Sequence, residues 1–310
     1  METMKLWNGT SVPRIGVGCW AIGGADYGEV YDHESLAGLR LAHEMGARVF
    51  DTAIAYGWGR SERVLGQAFG NRDDVVIVTK FGHPAANLSA GTIRASIELS
   101  RQHLKRDRIE IALFHVNEFP PERAGFVFDT LGELRQKGWI EAFGWSTDAT
   151  ASARAFADRE GFVAVENDLN VFDHADELMA YVDQTGLLSL NRLPLAMGML
   201  SGKYSQGQSV GAGDIRGKKV EWMKYFSGGK ATPEYVKDLE AVRELLTSGG
   251  RTLAQGALSW CLARSPNALP VPGFKTEGQI RDNLGTLEKG PLPATIMNEI
   301  QQILNAKDAA

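Results

Sequence analysis

The stretch VVIVTKFGHPAANLSAGTIRASIELSRQHLKRDRIEIALFH, residues 75–115, holds two short apolar runs on either side of a helix-like segment. VVIVTK, 75–80, and IEIALFH, 109–115, are rich in β-branched residues and nearly unbroken. Parallel strands covered by helices on both faces read this way, because neither face meets water. SAGTIRASIELSRQHL, 89–104, spaces its apolar residues as a helix does. A strand, a crossover helix and a second strand about 30 residues on form one unit of a parallel sheet.

The unit repeats in both directions. RVF, 48–50, follows the apolar-periodic LAGLRLAHEMG, 36–46, and RAGFVFDTLGELRQKG, 123–138, follows IEIALFH with Gly138 placed as a C-terminal cap. EAFGWS, FVAVEN, GLLSLNR and ALPVPG continue the series, and IGVGCW starts it. The strand candidates are 15–19, 47–50, 75–79, 109–114, 141–145, 162–166, 187–191 and 268–271. Eight strands with seven intervening helical regions predict an α/β fold, a (β/α)8 TIM barrel in one domain spanning 1–310. A doubly wound sheet is the structural alternative. The interval 200–250 departs from the pattern: its first part is rich in Gly, Lys and Ser and lacks a period. It reads as a long loop over the C-terminal face, with 205–230 as an active-site lid, followed by helices near 233–246 and 252–263. ATIMNEIQQILNA, after 290, reads as a last amphipathic helix outside the barrel.

Composition bounds the function. With 44% hydrophobic and 23% charged residues the chain is globular in make-up. Thirty-three basic against thirty-eight acidic residues leave a net charge of −5, which disfavours nucleic-acid or anionic-membrane binding as the main role. No apolar run approaches the roughly 18 residues of a membrane span, and METMKLWNGTSVP has no signal-peptide core. Two cysteines, Cys19 and Cys261, make no disulfide framework and fit a reducing cytoplasm. Glycine is abundant, 35 of 310, as many tight strand–helix connections require. GVGCWA, 16–21, matches a dinucleotide-binding GxGxxG/A in letters, but its glycines lie inside a strand and no helix follows at once.

In a barrel the C-terminal strand ends face the catalytic mouth. Asp51, Lys80 and His115 close the second, third and fourth strands, and Tyr56 lies in the loop after the second. A tyrosine near its ordinary pKa of about 10 is a poor proton donor and acceptor at neutral pH. A neighbouring Lys80 ammonium is expected to lower that pKa, with Asp51 orienting the lysine by a charge-assisted bond. Tyr56 then protonates an alkoxide formed as hydride reaches a carbonyl carbon, and His115 donates to the carbonyl oxygen. The histidines show no HExxH or paired spacing, so no metal site is expected. A second signal is VPGFKTEGQIRDN, 271–283. Thr276 and Gln279 form a capping box just after Lys275, and a helix N-terminus beside a lysine suits an anion. Gln279 and Asn283 share a helix face that can bond a purine edge, so the segment suits an adenosine carrying a 2′-phosphate. Trp20, Tyr27, Trp58, Phe81, Phe119 and Trp145 lie near strand ends as candidates for an aromatic substrate pocket.

DTAIAYGWGRSERVLGQAF, 51–69, closely resembles the DTAxxYGxGxSExxLG signature of the aldo-keto reductase superfamily, and the resemblance runs over nearly the whole chain. It implies an Asp–Tyr–Lys–His tetrad at Asp51, Tyr56, Lys80 and His115. It also implies NADP(H) held in an extended pose across the barrel without a metal, and reduction of aldehydes and ketones or the reverse oxidation. The closing segment resembles the family's cofactor motif at Gly273, Lys275, Gln279 and Asn283, with NADP(H) preference resting mainly on Lys275. NRLPLAMGMLSGKY, 191–204, resembles the cofactor loop and implies roles for Leu195, Gly198 and Lys203. Three departures stand out. Ser146 is followed by Thr147 where many relatives have Ser-Asn. Glu166 replaces a carboxamide-binding Gln, and a carboxylate accepts from the nicotinamide amide but cannot donate to it. Arg192 stands where an aromatic often stacks on nicotinamide, a surface that a guanidinium plane also offers. A non-enzymatic channel-associated subunit or binding protein, and a barrel aldolase using Lys80 as a Schiff base, are the alternatives. The expected partner is a small carbonyl or alcohol compound, and a monomer is the default.

Overall fold

The computed structural model describes residues 2–204, 207–211 and 213–308. Eight parallel strands pair in chain order: β1 (Val17–Gly18), β2 (Val49–Asp51), β3 (Val76–Phe81), β4 (Ile109–Phe114), β5 (Ile140–Ser146), β6 (Phe162–Asp168), β7 (Leu188–Arg192) and β8 (Ala268–Pro270). The last meets the first through a parallel bridge from Gly18 to Gly273, with Gly16 N donating to Pro270 O at 3.0 Å and Gly18 N to Pro272 O at 2.9 Å. The sheet therefore curls round on itself as the expected (β/α)8 barrel.

Closure explains the glycines of GVGC. A Cβ on Gly18 would sit 2.5 Å from the Val271 carbonyl oxygen, so only a residue without one lets β1 and β8 approach. Gly18→Ala is expected to cost about 1–3 kcal/mol by overpacking, read as a lowered Tm. An unchanged Tm would mean that the seam yields freely.

Helices α1 (Asp32–Glu44), α2 (Arg60–Ala68), α3 (Ala90–Leu104), α4 (Gly125–Gln136), α5 (Thr150–Phe156) and α6 (Asp176–Thr185) alternate with the strands. Between β7 and β8 lie α7 (Pro233–Leu246) and α8 (Leu253–Arg264), and α9 (Glu277–Lys289) and α10 (Ala294–Asp308) finish the chain. Their starts follow local chemistry. Ser89, Thr252 and Thr276 each accept a hydrogen bond from the backbone N–H three residues on and complete a capping box.

Side chains alternate across every strand, and the alternation divides the protein into two cores. Val49, Val76, Val78, Ile111, Leu113, Ala164, Leu188, Leu190, Leu269 and Val271 fill the barrel interior, joined by Leu6 and Val12 of an N-terminal hairpin, Thr3–Lys5 with Ser11–Pro13. Their neighbours, among them Phe50, Ile77, Phe81, Phe114, Phe143 and Trp145, face outward into the layer under the helices. Phe81 and Trp145 are therefore core residues with at most 1% exposure, not part of the substrate pocket that their nearness to strand ends suggests.

The long connection after β7 is better ordered than its sequence implies. Ser205, Gln206 and Ala212 of the expected lid lie outside the described residues. The rest carries one turn of 3₁₀ helix, Ile215–Gly217, capped by Asp214, and a short hairpin, Phe226–Ser227 with Lys230–Ala231. Ile215 N donates to Asp26 O at 2.6 Å and Tyr27 bridges Asp214, so the segment is tied to the loop after β1. Among the described residues no helix is long and apolar enough to cross a membrane.

Candidate active site

Adding two residues to each inward-facing position moves one layer up the barrel and out of the apolar filling. The step leads from Val49 to Asp51, from Val78 to Lys80, from Leu113 to His115 and from Gly144 to Ser146. It leads likewise from Ala164 to Glu166, from Leu190 to Arg192 and from Val271 to Gly273. The polar mouth is the next turn of the alternation that builds the core.

Lys80 is its centre and is fully buried. Its ammonium donates to Asp51 Oδ2 at 2.8 Å, to Thr52 O at 2.9 Å and to Tyr56 Oη at 3.2 Å, which uses all three N–H groups. Asp51 Oδ1 lies 2.7 Å away and Glu166 Oε1 3.4 Å away, so two carboxylates flank one lysine. Burial pulls the Lys80 pKa down, but Asp51 and Glu166 outweigh it and hold it well above the ordinary lysine range. Asp51 is pushed up to about 7 by burial and by Glu166, against the pull of Lys80.

Tyr56 reaches this cluster because its loop is fastened below. Thr52 Oγ1 donates to Ser61 Oγ at 2.7 Å, and Ser61 Oγ to Cys19 O at 2.7 Å. Glu62, with no exposed surface, accepts from Thr79 Oγ1 at 2.6 Å and pairs with His103 Nδ1 at 2.9 Å. Gly57 passes so close to Gly23 that a Cβ would fall 1.9 Å from its carbonyl oxygen, in a backbone conformation of φ +59°. The Ser-Glu and glycine letters of the 51–69 motif thus set the loop that carries the phenol. Tyr56 stacks on Trp20 with centroids 5.8 Å apart and meets the His115 ring edge-on at 6.0 Å.

The electrostatics correct one expectation. Lys80 does pull the Tyr56 pKa down, but burial outweighs it and the Asp51 and Glu166 carboxylates oppose it, so the phenol ends above its ordinary range. Tyr56 is therefore protonated at neutral pH. His115 is held well below the ordinary imidazole range by burial and then by the neighbouring Lys80 and Arg192 cations, and so is neutral.

On the opposite rim Arg192 Nη2 donates to Asp148 Oδ2 at 2.7 Å and Nη1 to Ser146 Oγ at 3.4 Å, while Nε lies 3.2 Å from Asp168 Oδ1. Among the described residues neither Arg192 Nε nor Glu166 Oε2, both buried there, has a hydrogen-bond partner. Leu195, Gly198 and Lys203 follow on the segment leaving β7, where Arg216 Nη1 donates to Met197 O at 2.9 Å. Lys275 Nζ crosses to Tyr27 O at 2.8 Å. Gln279 spends its carbonyl oxygen on the cap, accepting from Lys275 N at 2.7 Å and Thr276 N at 3.2 Å, which leaves only its amide hydrogens for a purine. Buried Asn283 donates to Gly273 O at 3.3 Å. Of the aromatic candidates, Trp20 and Tyr27 pack together near Tyr56 at 5.1 Å, Trp58 is 88% exposed, and Phe119 packs on Phe114. Sequence reading missed Asp148, Asp168 and His83, whose ring lies 4.9 Å from that of His115.

Known proteins share this architecture. A chloroplastic pyridoxal reductase of Arabidopsis thaliana is 27% identical over 302 residues, covering 89% of this chain and 79% of that protein. The aldo-keto reductase yakc [NADP(+)] of Schizosaccharomyces pombe is 27% identical over 317 residues, covering 96% and 89%. The glycerol dehydrogenase AKR11B4 from Gluconobacter oxydans superposes with a TM-score of 0.81 at 21% identity, over 97% of this chain and 94% of that one. Residues 14–305, from before the first barrel strand into the last helix, match the model of the aldo/keto reductase family, and the chain belongs to that family of oxidoreductases.

Proposed function

We propose that the protein moves hydride between NADP(H) and a carbonyl or alcohol substrate, with Asp51, Tyr56, Lys80 and His115 as its catalytic residues. The contact of the Lys80 ammonium with both Asp51 and the Tyr56 phenol carries this reading. When bound, NADPH supplies the hydride that reaches the carbonyl carbon. Tyr56 gives its proton to the oxygen that becomes negative, and Lys80, 3.2 Å away, stabilises the phenolate left behind. Neutral His115 donates a ring N–H to the same oxygen. Asp51 keeps the lysine aimed at the phenol. The buried, charged Lys80 argues against the Schiff-base alternative, which requires a neutral amine.

The residues of the mouth fit the cofactor. The unpartnered Glu166 Oε2 is an acceptor for a carboxamide NH₂, beside Ser146 and the Arg192 plane. Gly273, Lys275, Gln279 and Asn283 at the start of α9 take the adenosine end, with Leu195, Gly198 and Lys203 along the path between. Trp20, Tyr27 and Trp222, which lies 6.1 Å from Trp20, wall the entrance and suit a planar apolar or sugar-like carbonyl compound. Cys19 and Cys261 are both free and buried, in keeping with a reducing compartment such as the cytoplasm.

Titrating tryptophan fluorescence with NADPH and NADH tests the cofactor. Lys275→Ala is expected to weaken NADPH about 10- to 100-fold, the worth of one hydrogen bond to a charged group, and NADH far less. Equal losses for both would reject the 2′-phosphate role.

A further inference from the structure

We infer that Asp148 is a positioning residue that holds the Arg192 guanidinium edge-on, so that its flat face is presented to the mouth. The inference rests on the NADP(H) reading above. A guanidinium carries its donors in one plane, and its faces are free for stacking only when that plane is fixed. Here Asp148, Ser146 and Asp168 meet Nη2, Nη1 and Nε from the ends of β5 and β6. With Nη1 and Nη2 hydrogen-bonded and Nε beside Asp168, though without a hydrogen bond of its own, the guanidinium plane is fixed at its edge. What it offers is a surface.

Asp148 is the constant member of this clamp. Its Oδ1 accepts the Asp168 N–H at 2.7 Å, and Oδ2 accepts Asn117 Nδ2 at 2.8 Å as well as Arg192 Nη2. Asp148 N donates in turn to Asn117 Oδ1 at 2.8 Å. One side chain thus ties the loop after β4, two residues beyond His115, to the end of β6 and to Arg192 on β7. Burial would raise the Asp148 carboxyl, but Arg192 and the hydrogen bonds hold it below the usual carboxylate range. Asp168, facing Asp148 and Asp173 as well as Arg192 and Lys224, is pushed by burial up to about 6 and is the weaker partner.

The test is a double-mutant cycle read by NADPH dissociation constants from tryptophan fluorescence at pH 7.5. Asp148→Asn keeps the acceptor for the Asp168 N–H and removes the charge facing Arg192. It is expected to weaken NADPH about fivefold to tenfold, the scale of one π-contact, and Arg192→Ala at least as much. In the Arg192→Ala background Asp148→Asn is expected to add nothing. An equal loss in both backgrounds would show that Asp148 acts only on the fold, and no loss in either would also overturn the inference. Arg192→Lys keeps the ion pair but not the plane, so it should bind like Arg192→Ala; wild-type affinity would remove the platform. In each of these failures NADPH still binds the wild type, whereas a wild type that binds no NADPH would overturn the cofactor reading itself.

Discussion

Tyr56→Phe is expected to lower kcat for carbonyl reduction by roughly 10²- to 10⁴-fold, the usual contribution of a positioned general acid. The substitution deletes one oxygen and leaves the ring, so the stack on Trp20 and the edge contact with His115 persist. Lys80 loses an uncharged acceptor but keeps Asp51 and Thr52 O, so the fold and NADPH affinity should change little. Steady-state kinetics beside a fluorescence titration separate the two. Loss of turnover with binding intact assigns the proton to Tyr56; retained turnover would move it to another group. The pH profile follows from the same electrostatics. Tyr56 stays protonated above its ordinary range and His115 stays neutral, so neither titrates between pH 7 and 9. A step in the reduction rate near neutrality belongs to Asp51, pushed up to about 7, which loses its charge and its hold on Lys80 as pH falls through that value.

The barrel was legible because its strands are short apolar runs at regular spacing, and periodicity survives without knowledge of contacts. β4 matches 109–114 to the residue, and α7 matches 233–246. Asp51, Lys80 and His115 were legible as polar residues ending apolar runs, and Tyr56 as the tyrosine of the loop that follows the first of them. What failed was orientation. Phe81 sits one residue past Lys80, and a single step on a strand turns a side chain to the other face, so nearness to the mouth said nothing about access to it. Position in sequence also carries no measure of dielectric. Lys80 beside Tyr56 suggests a depressed phenol, but burial and a second carboxylate, Glu166, reverse the sign. Asp148 escaped notice because a lone aspartate after GWST has no period and no motif. Its role exists only through partners 20, 31 and 44 residues away.

The largest stability effect should come from Lys80→Met. Lysine and its two carboxylates are buried together, and removing the cation leaves Asp51 and Glu166 facing each other with little water. Breaking such an arrangement from one side costs about 3–5 kcal/mol, a fall in Tm on the order of 5–10 °C at pH 7.5. The loss should depend on pH with a definite sign. Without Lys80 the Asp51 carboxyl binds its proton more tightly folded than unfolded, because burial already raises it and its main opposing charge is gone. A group whose pKa is raised on folding favours the folded state when protonated, and that benefit disappears as pH climbs from the unfolded value, about 4, through the folded one. The variant should therefore be closest to wild type near pH 5 and furthest from it above pH 8. Adding Asp51→Asn removes one of the stranded charges and should restore part of the lost Tm while leaving the enzyme inactive. A Lys80→Met protein whose deficit is the same at both pH values would mean that Asp51 and Glu166 find other partners, and that the lysine is not what makes their burial tolerable.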